Sequence, residues 1–269
     1  MINSDDVPVF TIGSNQPKPF SDIDFLWYRR PFENNATPTS VGEKLRLAEI
    51  EEAMWNLMMQ IPIHKWINFP THNWMADKKA TQLMLAHDCG LLTPEWVITN
   101  KVTEAKRFIE EHEWKCILKP IDCGYVTHGE QSWHIYTNEL KSSDTNLSLI
   151  GLCPTLIQKR LEKAFDVRTV YLNGSTLFIG LYGGPLDVRR NEMEHIQYQI
   201  LEPPSSVAEG YIHLMRKNGL RFCTSDFVVT KDGSWFFLEN NPNGQWVWMD
   251  EFLEYSASNF FFANLDVQP

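Results

Sequence analysis

The side chains best suited to chemistry lie near the end of the sequence, where two apolar segments finish in polar residues. Residues 222–230 contain Asp226, and residues 234–239 run through apolar side chains to Glu239. The intervening Lys-Asp-Gly turn predicts that the two segments pair as an antiparallel hairpin. Because side chains alternate along a strand, Glu239 and Asn241 point to one face, and Asp226 reaches that face from the partner strand if the register allows.

Two carboxylates and an amide oxygen on one face favour a magnesium site. These are hard oxygen ligands, and Mg²⁺ accepts few of them from protein, taking the remainder from water and phosphate. The alternative is a hairpin end whose polar residues only cap a turn, which suits Asn240 and Asn243. It suits Glu239 poorly, because a carboxylate that ends an apolar strand is costly to bury without a partner. We therefore predict that Asp226, Glu239 and Asn241 bind Mg²⁺.

Composition limits what else the chain can be. Its 269 residues, 43% of them apolar, suffice for a sizeable core in one large or two smaller domains. No run of about 18 apolar residues predicts a membrane span, and the first residues lack the features of a signal peptide. Five scattered cysteines without a CxxC pair favour the cytoplasm. A net charge of −10 without a basic stripe argues against nucleic acid, so a bound nucleotide would need a local cluster of Lys and Arg.

The elements that must position these residues are a mixture of helices and strands. Helical spacing of apolar residues predicts helices at residues 41–61, 77–91, 103–112, 206–219 and 250–265, two of them opened by capping boxes at Ser40 and Ser206. Short apolar runs predict strands at residues 7–12, 96–99, 115–119, 133–137, 155–158, 167–172, 176–181, 222–230 and 234–239. Residues 62–76 are interpreted as a linker and residues 120–131 as a loop. Frequent hairpins, one of them at Asn173-Gly174, favour an α+β fold over strict alternation.

A family resemblance begins at the motif that contains the predicted metal ligands. Glu-x-Asn-Pro at residues 239–242, with an Asp on the partner strand, resembles the metal-binding end of ATP-grasp enzymes. The longer stretch at 239–246, ENNPNGQW, more closely resembles the ATP-grasp ligases that macrocyclise ribosomal peptides, the microviridin-type or graspetide maturases. Further segments resemble motifs of that family in the family's own order, at residues 27–31, 79–83, 90–94, 117–120, 135–137, 157–158, 166–168 and 186–189. The resemblance spans about residues 25–265.

The resemblance implies an ATP-grasp fold, in which two α+β lobes hold ATP between their sheets. Residues 1–72 would form an abbreviated pre-ATP-grasp domain and residues 73–269 the ATP-grasp domain, with a central lobe to about residue 158 and a C-terminal lobe from about 159. A carboxylate would be activated by ATP and Mg²⁺ to an acyl phosphate and then joined to an amine or hydroxyl. The implied substrate is a precursor peptide. The alternatives are a ligase acting on a small carboxylate or a peptide tail and, less favoured, a non-catalytic nucleotide-binding protein.

The resemblance assigns the phosphates of the nucleotide to lysines. Lys79 and Lys119 are expected to contact the α and β phosphates, with Lys78 as the alternative to Lys79. Lys119 also stands out by itself, because it ends an apolar strand and faces a loop that contains Gly124 and Gly129. The short N-terminal domain leaves room for a homodimer in which a second subunit completes it.

The resemblance places an inter-lobe hinge at Gln158, Lys159, Arg160, Leu161 and Glu162. Backbone groups there would read the adenine edge, and Glu162 would bond the ribose. A strand end followed by a charged turn is about equally compatible with these residues.

Two Asp-x-Arg elements are expected to serve phosphoryl transfer. Arg168 and Arg189 would stabilise the γ-phosphate, and each follows an aspartate, Asp166 or Asp187, that shares its face on extended backbone and can hold its guanidinium. Local Asp–Arg surface pairs are the alternative. The weaker candidates for contact with the acyl phosphate or substrate are Arg29, Arg30, Arg190 and Trp246.

Overall fold

The computed structural model describes most of the chain, namely residues 9–10, 16, 18–29, 38–122, 125–128, 131–134, 137–143, 146–184 and 195–265. The chain divides into two compact units, Met1–Asn73 and Trp74–Pro269. In the described part of the chain, no helix combines the length and the apolar character that crossing a bilayer requires.

The N-terminal unit contains short strands and a long helix. The strands are β1 (Val9–Phe10) paired antiparallel with β2 (Lys18–Pro19), and β3 (Leu26–Trp27) paired parallel with β4 (Trp66–Ile67). The helix α1 (Val41–Met58) begins at the predicted capping box, where the Ser40 hydroxyl accepts a hydrogen bond from the Glu43 amide (3.1 Å). The small core of this unit is built on Phe20, Ile61 and Trp66.

The prediction of a linker at residues 62–76 is wrong. This stretch contains β4 and a helix, α2 (Pro70–Ala76). Pro70 occupies the first helical position, where its fixed φ and missing N–H favour a helix start. Trp66 is buried and donates its indole N–H to the Ile61 carbonyl (3.0 Å), so this segment belongs to the core.

The C-terminal unit has a first sheet of four strands, all antiparallel, in the order β5-β10-β6-β9. Its strands are β5 (Trp96–Thr99), β6 (Cys116–Lys119), β9 (Asn138–Glu139) and β10 (Thr155–Lys159). The helix α4 (Val102–Glu111) packs Ala105 and Ile109 against Cys116 and Ile157. The predicted loop at 120–131 in fact contains β7 (Tyr125–His128), which forms a separate hairpin with β8 (Gln131–His134).

A second sheet of five antiparallel strands has the order β13-β12-β11-β14-β15. Its strands are β11 (Lys163–Leu172), β12 (Ser175–Tyr182), β13 (Gln197–Leu201), β14 (Phe222–Thr230) and β15 (Trp235–Asn241). The predicted hairpins at 173–174 and 231–233 are both present. One face of this sheet packs on two helices, α3 (Lys79–Asp88) and α5 (Ser205–Lys217), which contribute Leu83, Ala86 and Tyr211 to the same buried cluster as Val167, Phe227 and Phe237.

Alternation along these strands determines what the other face carries. Val167, Phe227 and Phe237 point to the helices. Arg168 follows Val167 in the chain and Asp226 precedes Phe227, so both point to the opposite face. The α+β prediction is confirmed by this mixture of helices and antiparallel sheets.

Two helix boundaries differ from prediction. α5 begins at Ser205 with Pro204 as its N-cap and no side-chain cap, so the predicted capping box at Ser206 does not form. The helix predicted at 250–265 is divided into a 3₁₀ turn (Val247–Glu251) and α6 (Ser256–Asn264). The break comes at Tyr255, whose φ of 62° cannot continue a right-handed helix.

Candidate active site

The site is a row of charged residues that crosses three adjacent strands. Asp226 on β14 lies opposite Arg168 on β11 and opposite Glu239 on β15. Residues directly opposite one another in an antiparallel pair share a face of the sheet. A bulge after Asp226 places one extra residue, Leu238, in β15, and the register around it sets Glu239 beside Asp226. The register on which the magnesium prediction depended therefore brings the two carboxylates together.

Arg168 is held from two sides. Its Nη1 donates to both carboxylate oxygens of Asp226 (2.7 and 2.8 Å), and its Nη2 donates to the backbone carbonyl of Gln245 (3.1 Å). The side chain is only 14% exposed. Its Nε is buried and makes no hydrogen bond among the described residues. A buried donor without a partner is costly, so Arg168 keeps one unused donor inside the site.

The predicted holding of Arg168 by Asp166 is wrong. The Asp166 carboxylate accepts a hydrogen bond from Lys163 Nζ (2.6 Å), whereas the carboxylate bonded to Arg168 is that of Asp226 on the neighbouring strand. Cross-strand neighbours lie nearer than residues two apart along one strand, because strands are about 4.8 Å apart and two residues span about 6.8 Å.

Asn241 completes the polar end of the hairpin. Its side-chain amide donates to Asp226 Oδ2 (3.0 Å), leaving its amide oxygen as the atom suited to a cation. Asn240, one residue earlier, points away from this face and is buried, and its Oδ1 accepts from the Ser225 hydroxyl (2.8 Å). The structural capping role weighed for the hairpin end thus fits Asn240, and the face with the carboxylates belongs to Asn241.

Lys79 enters the site from α3. Its Nζ lies 3.0 Å from Glu239 Oε2, whereas Lys78 lies over the Trp74 ring, 4.7 Å from its centroid. The helix is fastened to β15 by Gln82, which donates to the Asn240 carbonyl (3.1 Å) and accepts from the Asn240 amide (2.9 Å). Gln82 was not among the predicted site residues. Its signal is the spacing Lys-x-x-Gln, which places Gln82 and Lys79 on one side of the helix.

The charges in the row shift each other's ionisation. Burial would raise the pKa of Glu239, but the attraction of Lys79 and Lys119 outweighs it and lowers that pKa. Burial raises the pKa of Asp226, and the adjacent charge of Glu239 adds to the rise while Arg168 opposes it. Two carboxylates held side by side favour a cation near them, because it offsets their mutual repulsion. Lys119, at the end of β6, is close enough to act on both.

The residues present fit a magnesium ion that arrives with phosphate. Among the described residues, no group of three or more His, Cys, Asp and Glu side chains could hold a metal. Asp226 and Glu239 with the oxygen of Asn241 supply too few ligands for an octahedral ion, and Arg168 and Lys79 already neutralise the two carboxylates. Phosphate oxygens would supply the missing ligands and draw the two cations toward themselves.

The residues of the predicted hinge, 158–162, are arranged differently from the row. Gln158 is buried with its Oε1 unpaired among the described residues. Lys159 pairs with Glu95 (2.7 Å), Arg160 pairs with Glu139 (2.8 Å), and exposed Glu162 lies 3.9 Å from Lys231. An open cavity of about 490 Å³ is lined by Thr93, Pro94, Glu95, Lys159, Leu161, Glu162, Thr230, Lys231, Asp232 and Phe236.

The remaining predictions concern Arg29, Arg30, Arg189, Arg190, Trp246 and the glycines of the predicted loop. Arg30, Arg189 and Arg190, like Gly124 and Gly129, lie outside the described residues. Arg29 lies over the ring of Trp27 in the N-terminal unit. The prediction that Trp246 contacts substrate is wrong. Trp246 is 3% exposed and stacks on Phe261 with ring centroids 4.9 Å apart, so it cannot present its ring to a substrate.

Several solved structures share this fold. Macrocyclase MdnC from Microcystis aeruginosa MRC, bound with precursor peptide MdnA, superposes with a TM-score of 0.79 at 22% identity, over 95% of this chain and 82% of MdnC. A RiPP-associated ATP-grasp ligase from Chryseobacterium gregarium, in complex with ADP and a leader and core peptide, gives 0.78 at 20% identity, over 93% and 78%. The ATP-grasp ligase PsnB, complexed with a phosphomimetic variant of its minimal precursor, Mg and ADP, gives 0.65 at 19%, over 84% and 73%.

By sequence alone, no protein-family model matches the chain and no curated protein matches it. The structural likeness extends over nearly the whole chain at low identity, and it shows the fold. The chain has the ATP-grasp fold, as the resemblance implied.

Proposed function

We propose that this chain is an ATP-dependent ligase that joins a carboxylate to an amine or a hydroxyl through an acyl phosphate. The observation that carries the proposal is the row Arg168–Asp226–Glu239 with Lys79 bonded to its end, because it sets two carboxylates among fixed cations on one face of an ATP-grasp sheet. A triphosphate with Mg²⁺ matches this arrangement, because its phosphates complement the fixed cations and its metal ion complements the carboxylates.

ATP would meet three groups of residues. Lys79 and Lys119 would contact its α and β phosphates, since both act electrostatically on Glu239 and can exchange that carboxylate for phosphate. The hinge at 158–162 would hold adenine through backbone groups and the ribose through Glu162, which lines the open cavity. Arg168 would meet the γ-phosphate, and Arg189 remains a proposed second contact.

Magnesium would be held by Asp226, Glu239 and Asn241 together with the phosphates. It supplies positive charge against the oxygens of the transferring phosphoryl group. The protein's own part is to hold the carboxylates in register, and the ion pairs with Arg168 and Lys79 favour their charged forms before the nucleotide arrives.

The reaction needs no nucleophile from the protein. A substrate carboxylate oxygen attacks the γ-phosphorus, the bond to the β–γ bridging oxygen breaks, and ADP leaves. The amine or hydroxyl then attacks the acyl carbon, loses its proton, and inorganic phosphate departs with the bonding electrons. Positioning by the row and neutralisation of charge by Arg168 account for the catalysis.

We propose a ribosomally made precursor peptide as substrate, with an Asp or Glu side chain joined to Lys, Ser or Thr. Support comes from two proteins of the same fold: MdnC was solved bound with precursor peptide MdnA, and the Chryseobacterium gregarium ligase was solved in complex with a leader and core peptide. A cytoplasmic location accords with the thiols of Cys89, Cys116, Cys153 and Cys223, which are all free. The homodimer suggested by the short N-terminal domain stays a prediction.

The test is incubation of the purified chain with Mg²⁺, ATP and candidate precursor peptides, beginning with any short peptide encoded beside its gene, followed by mass spectrometry. Loss of one water from the peptide with equimolar ADP and phosphate is expected, and Glu239→Gln should abolish it. Product formation only with free amino acids or other small carboxylates would favour the small-molecule ligase instead. Failure of every carboxylate to stimulate ADP release would refute the ligase.

A further inference from the structure

The loop that follows β15 folds back over Arg168. The Gly244 amide donates to the Asn241 carbonyl (2.9 Å), which closes a tight turn, and Trp246 anchors the far end by stacking on Phe261. Between these two points the backbone carbonyl of Gln245 accepts the hydrogen bond from Arg168 Nη2 (3.1 Å). The loop therefore contacts the guanidinium through its backbone.

Glycine at 244 makes this approach possible by its size. A Cβ at that position would lie 1.8 Å from Thr224 Oγ1 and 2.9 Å from Arg168 Nη2. Thr224 is buried on β14 and its hydroxyl donates to the Asn241 carbonyl (3.2 Å), so it has little room to yield. Any side chain at 244 would push the loop away from the arginine.

We infer that Gly244 and Gln245 are positioning residues for Arg168, an inference that rests on the proposed function because Arg168 is assigned there to the γ-phosphate. Asp226 holds Nη1 and Gln245 holds Nη2, so the guanidinium cannot turn freely. Asp226 is also the proposed magnesium ligand, and its bond to Arg168 must be shared with the metal. The Gln245 carbonyl is a contact that metal binding leaves in place.

A guanidinium fixed before the phosphate arrives loses less entropy on binding it. Because the proposed contact of Arg168 is with the γ-phosphate, which ADP lacks, the loop should affect phosphoryl transfer more than the affinity for ADP. In Gly244→Ala, we expect kcat with saturating ATP and peptide to fall about 10- to 100-fold, since displacement of a catalytic group by about 1 Å can cost that much. The Kd of ADP with Mg²⁺, measured by calorimetry, should change less than about threefold.

The position of Arg168 can be observed without any turnover. In protein labelled with ¹⁵N-arginine, slow rotation about the guanidinium bonds should give separate Nη signals, assigned by their loss in Arg168→Lys. Gly244→Ala should merge or broaden them. The matched control is Gly151→Ala, whose added Cβ meets only Val102 Cγ2 at 3.6 Å, an ordinary contact; it should leave signals and kcat unchanged.

Rescue separates a displaced loop from general damage. In Gly244→Ala/Thr224→Ala the nearest obstructing atom is gone, so partial recovery of the Nη signals and of kcat is expected. If Gly244→Ala does not fold, Thr224→Val serves instead, because it keeps the volume and removes the hydroxyl bond to the Asn241 carbonyl; faster guanidinium rotation is then expected.

Unchanged Arg168 signals in Gly244→Ala, or in Thr224→Val where that variant replaces it, would overturn the inference. So would an unchanged kcat alongside altered signals. A wild-type protein that binds no nucleotide would instead overturn the proposed function, and the guanidinium signals would still decide whether the loop holds Arg168.

Discussion

The row of charges and the hinge both contain ion pairs, but the two regions differ in how those pairs are embedded. In the row, the Arg168 side chain is 14% exposed and is bonded from β14 and from the loop after β15. In the hinge, Lys159 and Arg160 are 46% and 35% exposed, and each has one carboxylate partner at the surface. A buried charge is costly to leave unpaired, whereas an exposed pair contributes little.

The difference indicates where side-chain identity matters. The hinge is fastened by its backbone, since the Lys159 amide donates to the Glu95 carbonyl (2.9 Å) and the Arg160 amide donates to the Lys115 carbonyl (2.8 Å). The row is fastened by side chains. Side-chain substitutions should therefore change turnover and ATP affinity strongly in the row and weakly in the hinge.

The largest effect is expected at Glu239. Glu239→Gln keeps the volume and removes the charge that pairs with Lys79 and would bind Mg²⁺, so turnover should fall about a thousandfold or more. The melting temperature should stay within about 4 °C, a change of roughly 1 kcal/mol. The matched control is Glu110→Gln on the exposed side of α4. Normal turnover in Glu239→Gln would show that the metal site is elsewhere.

Arg168 comes next. Arg168→Ala should lower kcat about a hundredfold at saturating ATP, because the lost interaction is made with charge that develops during transfer. Arg168→Lys should restore little, since an ammonium cannot bond Asp226 and the Gln245 carbonyl in the same geometry.

The control for Arg168 is Arg107→Ala, which removes an exposed pair on α4. Arg189→Ala, measured alongside, tests the second predicted arginine. A fall in kcat smaller than about tenfold in both Arg168→Ala and Arg189→Ala would indicate that the two arginines form only structural ion pairs.

What the sequence could predict of this site depended on distance along the chain. Asp226, Glu239 and Asn241 were predicted from the hairpin and from alternation along its strands. Neither signal specifies the bulge at Leu238, which is what sets Glu239 beside Asp226. Arg168 was found through its motif, but its partner was misassigned to Asp166. The true partner, Asp226, is 58 residues away, and no local period specifies which strands become neighbours.

The same limit explains the other errors. Trp246 was predicted to contact substrate, because nothing near it in the sequence reveals that its ring stacks on Phe261. Gln82 was passed over as a site residue, because its bonds to Asn240 span 158 residues. The fold class was predictable, since it follows from local patterns of helices and hairpins.

Lys119 should affect binding more than catalysis. Lys119→Ala should weaken ATP binding by about 10- to 150-fold, the equivalent of losing one charge-assisted contact of about 1.5–3 kcal/mol. Lys115→Ala is the control at the other end of the same strand region, where the side chain is exposed and pairs with Glu113. Equal ATP affinity of Lys119→Ala and wild type, measured by calorimetry, would show that Lys119 does not contact the phosphates.

The smallest effect is expected at the hinge, where one position can separate side chain from backbone. Arg160→Ala removes a half-exposed pair with Glu139 and keeps the amide that donates to the Lys115 carbonyl. Such a pair is worth at most about 1 kcal/mol, so ATP affinity and kcat should change less than about threefold.

Arg160→Pro removes the same side chain and also that amide hydrogen, which leaves the Lys115 carbonyl without its donor and restricts the preceding residue. If backbone geometry holds the hinge, Arg160→Pro should weaken ATP binding at least about tenfold more than Arg160→Ala. Equal affinities for the two variants would mean that the hinge backbone does not position the nucleotide. A large loss in Arg160→Ala itself would mean that the hinge depends on its side chains as much as the row does.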